Sequence, residues 1–155
     1  MKTLVPVATL LDVARKQPKR KDRPGVDRYG RTDLHYAASE KDAPKVRSLL
    51  DAGVDVNAGD DDGWTALHFA AQGSATEIAA ILLEAGAEID RKDSHGNTPL
   101  STAVFSSRGN GDLIRLLRAK GADPHSRNNH DVTPVGLART IANYSIAQFF
   151  DDLPQ

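Results

Sequence analysis

Apolar residues recur along this chain in two short helical patterns that alternate at a fixed period. The first is seen in "GRTDLHYAA" from Gly30, "GWTALHFAA" from Gly63, "GNTPLSTAV" from Gly96 and "DVTPVGLAR" from Asp131, spaced 33, 33 and 35 residues apart. Within it, Leu34, Ala37 and Ala38, and their counterparts Leu67, Ala70 and Ala71, form the narrow apolar face of a short helix. The second is carried by "LLDAGVDVN" from Leu49, "LLEAGAEID" from Leu82 and "LRAKGADPH" from Leu117. Its apolar sets are Val46, Leu49 and Leu50, then Ala79, Leu82 and Leu83, then Ile114, Leu117 and Arg118. By approximate alignment the last unit uses Ala147, Phe149 and Phe150. Each unit therefore predicts two helices and a polar, turn-forming connection such as "NAGDDDG" or "RKDSHG".

The residues around these helices fit that prediction. Thr32, Thr65, Thr98 and Thr133 stand where an N-cap hydroxyl covers unpaired helix N–H groups. Pro99 and Pro134 follow at the first helical position, where a missing N–H costs nothing. Gly53, Gly86 and Gly121 supply the left-handed residue that ends the second helix. Ahead of the repeats, Val7, Leu10, Leu11 and Ala14 fall on one face of a further helix, followed by the polar linker "RKQPKRKDRPG". A stack of units needs a cap, because each unit buries its apolar face only against a neighbour, and this stripe is the candidate.

Taken together, the motifs resemble the ankyrin repeat, a unit of about 33 residues built of a β-turn and two helices. The resemblance covers residues 27 to about 151; in the fourth unit Asp131 replaces the motif glycine and Gly136 the motif histidine. It implies an all-α repeat solenoid, a right-handed stack of helix pairs with projecting β-hairpins. Residues 1–25 are expected to form the N-terminal capping helix and a basic linker. Residues 26–155 form the repeat domain, with units at about 27–59, 60–92, 93–127 and 128–155. The third unit is longer by two residues, which fall in "SSRGNG" between its helices, at the end away from the hairpins.

Composition narrows the function classes. A formal net charge of −1 with 39% apolar and 26% charged residues fits an ordinary globular domain and no membrane span. Cysteine is absent, which excludes disulfides, thiolate metal sites and cysteine nucleophiles. The apolar run from Leu4 to Leu11 is broken by Pro6 and lacks a cleavage site, so it reads as helix and not as an export signal, and a cytoplasmic location is expected. Near-neutrality hides a gradient: residues 1–31 carry +6 and the remainder −7. The basic run at residues 16–23 has no interleaved aromatics for base stacking, so a solvated linker is favoured over a nucleic-acid contact.

No catalytic constellation emerges. There is no G-x-S-x-G elbow, P-loop, dinucleotide fingerprint or H-E-x-x-H. His35 and His68 fill the T-x-L-H motif and are expected to hydrogen-bond locally within a capping arrangement. His95, His125 and His130 lack the spacing of metal ligands. Asp60, Asp61 and Asp62 lack the pattern of a calcium loop; they read as a turn, with Asp60 as its former, or as an acidic finger for a basic partner. No enzyme activity, cofactor or metal is expected.

The resemblance implies instead a concave binding surface of hairpin tips and first helices, whose side chains have no core duty. Mapped onto this chain, the hairpins contribute Arg28, Tyr29 and Arg31, then Asp61, Asp62 and Trp64, then Ser94, His95 and Asn97, then Asn129, His130 and Val132. The first helices add Ser39, Glu40, Gln72, Phe105 and Ser106. Trp64, the single tryptophan, is either an interface anchor or packed on a neighbouring hairpin. The expected function is binding of a protein partner, as a stoichiometric inhibitor or neutraliser, immunity-protein-like, acting by occlusion. The alternatives are a scaffold bridging two proteins and an electrostatic nucleic-acid or membrane-surface binder using the basic arm. The chain is expected to be monomeric when free.

Overall fold

The computed structural model describes residues 23–155. The stripe at Val7, Leu10, Leu11 and Ala14 and most of the basic run lie outside the described residues.

Among the described residues, seven helices and one 3₁₀ segment follow one another in strict alternation. They are α1 (Asp33–Ser39), α2 (Ala43–Asp51), α3 (Ala66–Gln72), α4 (Thr76–Glu84), α5 (Pro99–Ser106), α6 (Asp112–Ala119), α7 (Pro134–Thr140) and the 3₁₀ segment Ile146–Phe150. First helices stack on first helices (α1, α3, α5, α7) and second on second (α2, α4, α6), with each pair also packed on itself. The solenoid expected from the repeat is therefore present. Its core runs down the stack: Leu34, Leu67 and Leu100 from the first helices are buried, as are Val46, Ile78, Leu82, Ile114 and Leu117 from the second. Burying each such side chain contributes about 1.5–3 kcal/mol. The alanines Ala37, Ala38, Ala70, Ala71 and Ala103 fill the close contact between first helices, where nothing larger fits.

All four first helices start at the expected threonines. In the third and fourth units the hydroxyls of Thr98 and Thr133 accept from the N–H groups of Ser101 and Gly136. In the first two, a histidine completes the cap. His35 Nδ1 accepts from the Thr32 N–H at 2.8 Å, and Nε2 lies 2.9 Å from the Ala58 carbonyl. His68 repeats this with the Thr65 N–H at 3.2 Å and the Asn97 carbonyl at 3.1 Å. A backbone N–H only donates and a carbonyl only accepts, so both rings are neutral with the proton on Nε2. Each ring thus caps its own helix and also holds a distant carbonyl, at the end of its own unit for His35 and in the next unit for His68, a reach beyond the local bonding expected of it. Burial pushes both histidines below their ordinary value, outweighing the bonds to Ala58 and Asn97.

The last unit departs from the expected pattern. Its second helix is shortened to a 3₁₀ segment, and Ile146 and Phe150 fill the core instead of the expected Ala147, Phe149 and Phe150, with Ala147 and Phe149 only partly buried. Arg118 stands where the earlier units have Leu50 and Leu83, and it holds this segment in place. Its guanidinium donates to both carboxylate oxygens of Asp152 at 2.7 Å and to the Phe149 carbonyl, and lies 5.0 Å from the Phe150 ring centre. The longer "SSRGNG" turn takes part as well. Gly111 sits under the Phe149 ring, where an added Cβ would stand 2.2 Å from ring carbons.

Two outcomes follow from this packing. Gly111→Ala leaves an allowed backbone (φ −94) and adds only the clash with Phe149. Chemical denaturation is expected to show a loss of about 1–3 kcal/mol. Hydrogen exchange should rise over residues 146–152, while α1 to α4 stay protected. Stability should also depend on pH through the capping histidines. The unfolded chain takes up protons near 6.5, whereas the folded rings do so only at lower pH, because burial depresses them. The midpoint of thermal unfolding should be flat above about pH 7 and fall as pH drops below about 6.5, before carboxylates titrate. The double variant His35→Gln, His68→Gln, which keeps a side chain able to close a capping box, should lose that slope.

Candidate functional site

Between successive units the chain projects as a tight finger, and every finger is folded by one side chain. Asp27 Oδ1 accepts from the N–H groups of Tyr29 and Arg31, at 2.8 and 2.9 Å. Asp60 does the same for Asp62 and Trp64, Asp93 for His95 and Asn97, and Asn128 for His130 and Val132, all within 3.0 Å. This is an Asx turn repeated four times, and the backbone closes it with a bond from the N–H of the same residue to the carbonyl four residues on. Among the described residues no regular strand forms; the expected hairpins are these closed turns.

The second polar atom of the Asx residue ties each finger to the one before. Arg31 Nε donates to Asp60 Oδ2 at 3.4 Å, Trp64 Nε1 to Asp93 Oδ2 at 3.1 Å, and Asn128 Nδ2 to Asn97 Oδ1 at 2.9 Å. Main-chain bonds reinforce the ties: Asp61 N–H to the Tyr29 carbonyl, Ser94 N–H to Asp62, and Asn129 N–H to His95, at 2.8 to 2.9 Å. The motif glycine sits at this junction in a left-handed conformation. A Cβ on Gly96 (φ +78) would stand 2.9 Å from the Asn129 backbone nitrogen. Asp131 takes the same conformation (φ 59) in the last unit, where no further finger crowds it, and Asp tolerates it.

These ties correct two expectations. Arg31, Trp64 and Asn97 are not free of structural duty: each is half-buried and bonded to the following finger. The Trp64 indole also stacks edge-on against Phe69 at 5.3 Å and lies 5.8 Å from the His68 ring. Of its two readings, packing on a neighbour describes most of the ring. The acidic finger shrinks too. Asp60 is buried in its turn, Asp61 pairs with Arg23 of the preceding finger, and Asp62 alone presents an exposed carboxylate without a side-chain partner among the described residues.

What remains open is a trough along the fingers and first helices. A groove of about 420 Å³ is lined by Arg31, Asp62, Trp64, Phe69, Gln72, His95 and Asn97, over the buried Asp60 and Asp93. It runs into a second, of about 500 Å³, between Trp64, Gln72, Asn97, Thr102, Phe105, His130, Val132 and Leu137. Phe105 is the most prominent feature, with 76% of its surface exposed. Ten of the expected contact residues therefore line one continuous surface: Arg31, Asp62, Trp64, Gln72, His95, Asn97, Phe105, Ser106, His130 and Val132. The others lie outside it. Arg28 stacks over the exposed Tyr29 ring at 4.7 Å, Glu40 is exposed beyond α1, Asp61 is paired, and Asn129 bonds to the Ser94 carbonyl.

Thr102 and Leu137 were not among the expected contacts, because the helical pattern marks both as ordinary first-helix positions. The Asx series was legible: Asp27, Asp60, Asp93 and Asn128 keep the spacing of 33, 33 and 35. Among the described residues no group of three or more metal-ligating side chains comes together, and no helix is long and apolar enough to cross a membrane.

Replacing Asp93 by alanine removes both turn bonds and the indole partner at once. Unfolding should show a loss of about 2–3 kcal/mol. The emission of the single tryptophan should shift to the red as Trp64 loosens. Asp62→Ala, which breaks no bond, should leave both readouts unchanged.

The family model for ankyrin repeats (3 copies) matches residues 34–128. No curated protein matches the chain. The match spans the first three helix pairs and the second and third fingers, more than half of the sequence; the chain belongs to the ankyrin-repeat family, whose repeats are protein–protein interaction modules.

Proposed function

We propose that the trough between the second and fourth fingers is the partner-binding face, and that the chain acts as a stoichiometric inhibitor that occludes its partner. One observation carries the first part. Phe105 stands almost fully exposed on an otherwise well-buried helix, between two grooves and beside polar groups able to orient a ligand. An exposed aromatic at the centre of a concave surface is the usual anchor of an interface. Its α5 neighbours Val104, Ala103 and Leu100 are all buried, so Phe105 has no packing task that requires exposure.

Occlusion is supported by preorganisation. A rigid stack held by finger-to-finger bonds presents one preformed surface. Such a surface binds with little loss of conformational freedom, which suits tight one-to-one capture. Binding at the trough needs no cofactor and no contact from the basic arm at residues 16–23.

The test is a variant that removes the anchor and nothing else. Phe105→Ser should keep the thermal midpoint of the wild type, since that side chain is solvent-facing. A partner captured by the wild-type chain should bind the variant at least about tenfold more weakly by calorimetry, the loss of about 1.4 kcal/mol typical of an interface anchor. The partner's own activity should fall in proportion to added wild-type chain and saturate at one equivalent. Unchanged affinity would place the contact elsewhere; binding without loss of activity would leave an adaptor in place of an inhibitor.

A further inference from the structure

Phe105 divides two grooves of opposite character. On one side lies the apolar groove toward Trp64, Val132 and Leu137. On the other lies a polar pocket of about 460 Å³, lined by Gln72, Gly73, Ser74, Phe105, Ser106, Ser107, Arg108 and Asn110. Gln72, Phe105 and Ser106 belong to both. The polar pocket contains no acidic side chain, and its only charged residue is Arg108.

The charge there is built into the repeat. The turn joining first to second helix places a non-glycine residue in the left-handed conformation in each of three units: Lys41 (φ 59), Ser74 (φ 50) and Arg108 (φ 47). Two cations therefore flank Ser74. The Lys41 side chain reaches along the stack until its Cε lies against Gly73, where an added Cβ would stand 3.2 Å away. Arg108 is exposed from the opposite side. Neither side chain has an ion pair or hydrogen bond among the described residues, as is also true of Lys45, Arg47 and Lys120, whereas Arg23, Arg31, Arg91, Arg115, Arg118 and Arg127 are paired. Two acids of these turns are engaged elsewhere: Asp42 accepts from the Lys45 N–H and Asp112 pairs with Arg115.

We infer that this pocket takes a carboxylate of the partner, so that the bound segment is a peptide carrying a large apolar side chain beside an aspartate or glutamate. The apolar side chain enters the groove between Trp64 and Leu137, the chain crosses Phe105, and the carboxylate meets Arg108, with Ser74, Ser106 and Asn110 supplying further donors. Charge complementarity sets the direction of the segment across α5, because the finger end of the trough presents Asp62 and repels an acid. The inference rests on the trough being the binding face.

Selection of a random displayed peptide library on the full chain tests it. Peptides enriched on the wild type should pair an aromatic or large aliphatic residue with a nearby Asp or Glu. By anisotropy, an enriched peptide should bind Arg108→Asn more weakly, and Arg108→Glu about tenfold more weakly or worse. Asn tolerates the left-handed turn, which separates loss of charge from strain. Reselection on Arg108→Glu should favour Lys or Arg in place of the acid. A consensus lacking an acidic residue, or affinity indifferent to Arg108→Glu, overturns the inference; the binding face itself survives that result if Phe105→Ser still abolishes binding. Failure to enrich any peptide, or enrichment of peptides indifferent to both Phe105→Ser and Arg108→Glu, overturns the two together.

Discussion

A carboxylate or carboxamide at the base of each finger has two polar atoms, and both are committed. One folds its own finger by accepting two N–H groups; the other reaches back to the finger before in the second to fourth fingers, and accepts from the Tyr36 hydroxyl in the first. Because Asp60 and Asp93 are nearly buried, losing either partner would strand polar groups with little access to water, at a cost well above the net worth of one hydrogen bond. The helices supply the hydrophobic stabilisation, but helices alone can slide and rotate against one another by small amounts. The Asx residues remove that freedom at the end of the stack where the trough lies.

The capping histidines repeat the same logic deeper in the molecule. Each uses one ring nitrogen on its own cap and the other on a distant carbonyl, that of Ala58 at the end of the same unit for His35 and that of Asn97 in the next unit for His68. They occur in the first two units and give way to Ser101 and Gly136 later, where the threonine hydroxyl caps alone. The histidine caps therefore end before the unit that carries Phe105, which depends on its finger bonds. Phe105 sits in the third unit, bounded by the longer turn and by the shortened terminal segment.

The architecture was legible because period, caps and stop signals all agreed on it. Leu34, Leu67 and the alanines beside them occupy the core positions that spacing assigned. Legibility failed where a residue serves its neighbour and not its own unit. Arg31, Trp64 and Asn97 share no chemistry, so they look like variable surface, yet each is the partner of the next Asx residue. Arg118 looks like a damaged leucine position, but its fork geometry matches Asp152 and a backbone carbonyl of the terminal segment. The trough was half visible: periodicity put Gln72 and Phe105 on a first-helix surface, but it carries no information on which exposed residues border a common depression.

The finger ties also give the repeats an order that cannot be permuted freely. Arg31 and Trp64 are donors that each face an aspartate, whereas Asn97 accepts from Asn128. Excising the second unit would bring Arg31 opposite Asp93, a donor still facing an acceptor. Excising the third would bring the Trp64 indole N–H opposite Asn128, whose oxygen is spent on its own turn and whose free atom is itself a donor. Shuffling these modules, in evolution or by recombination in the laboratory, is thus governed by a grammar of donors and acceptors at each seam and not by the shared helical frame.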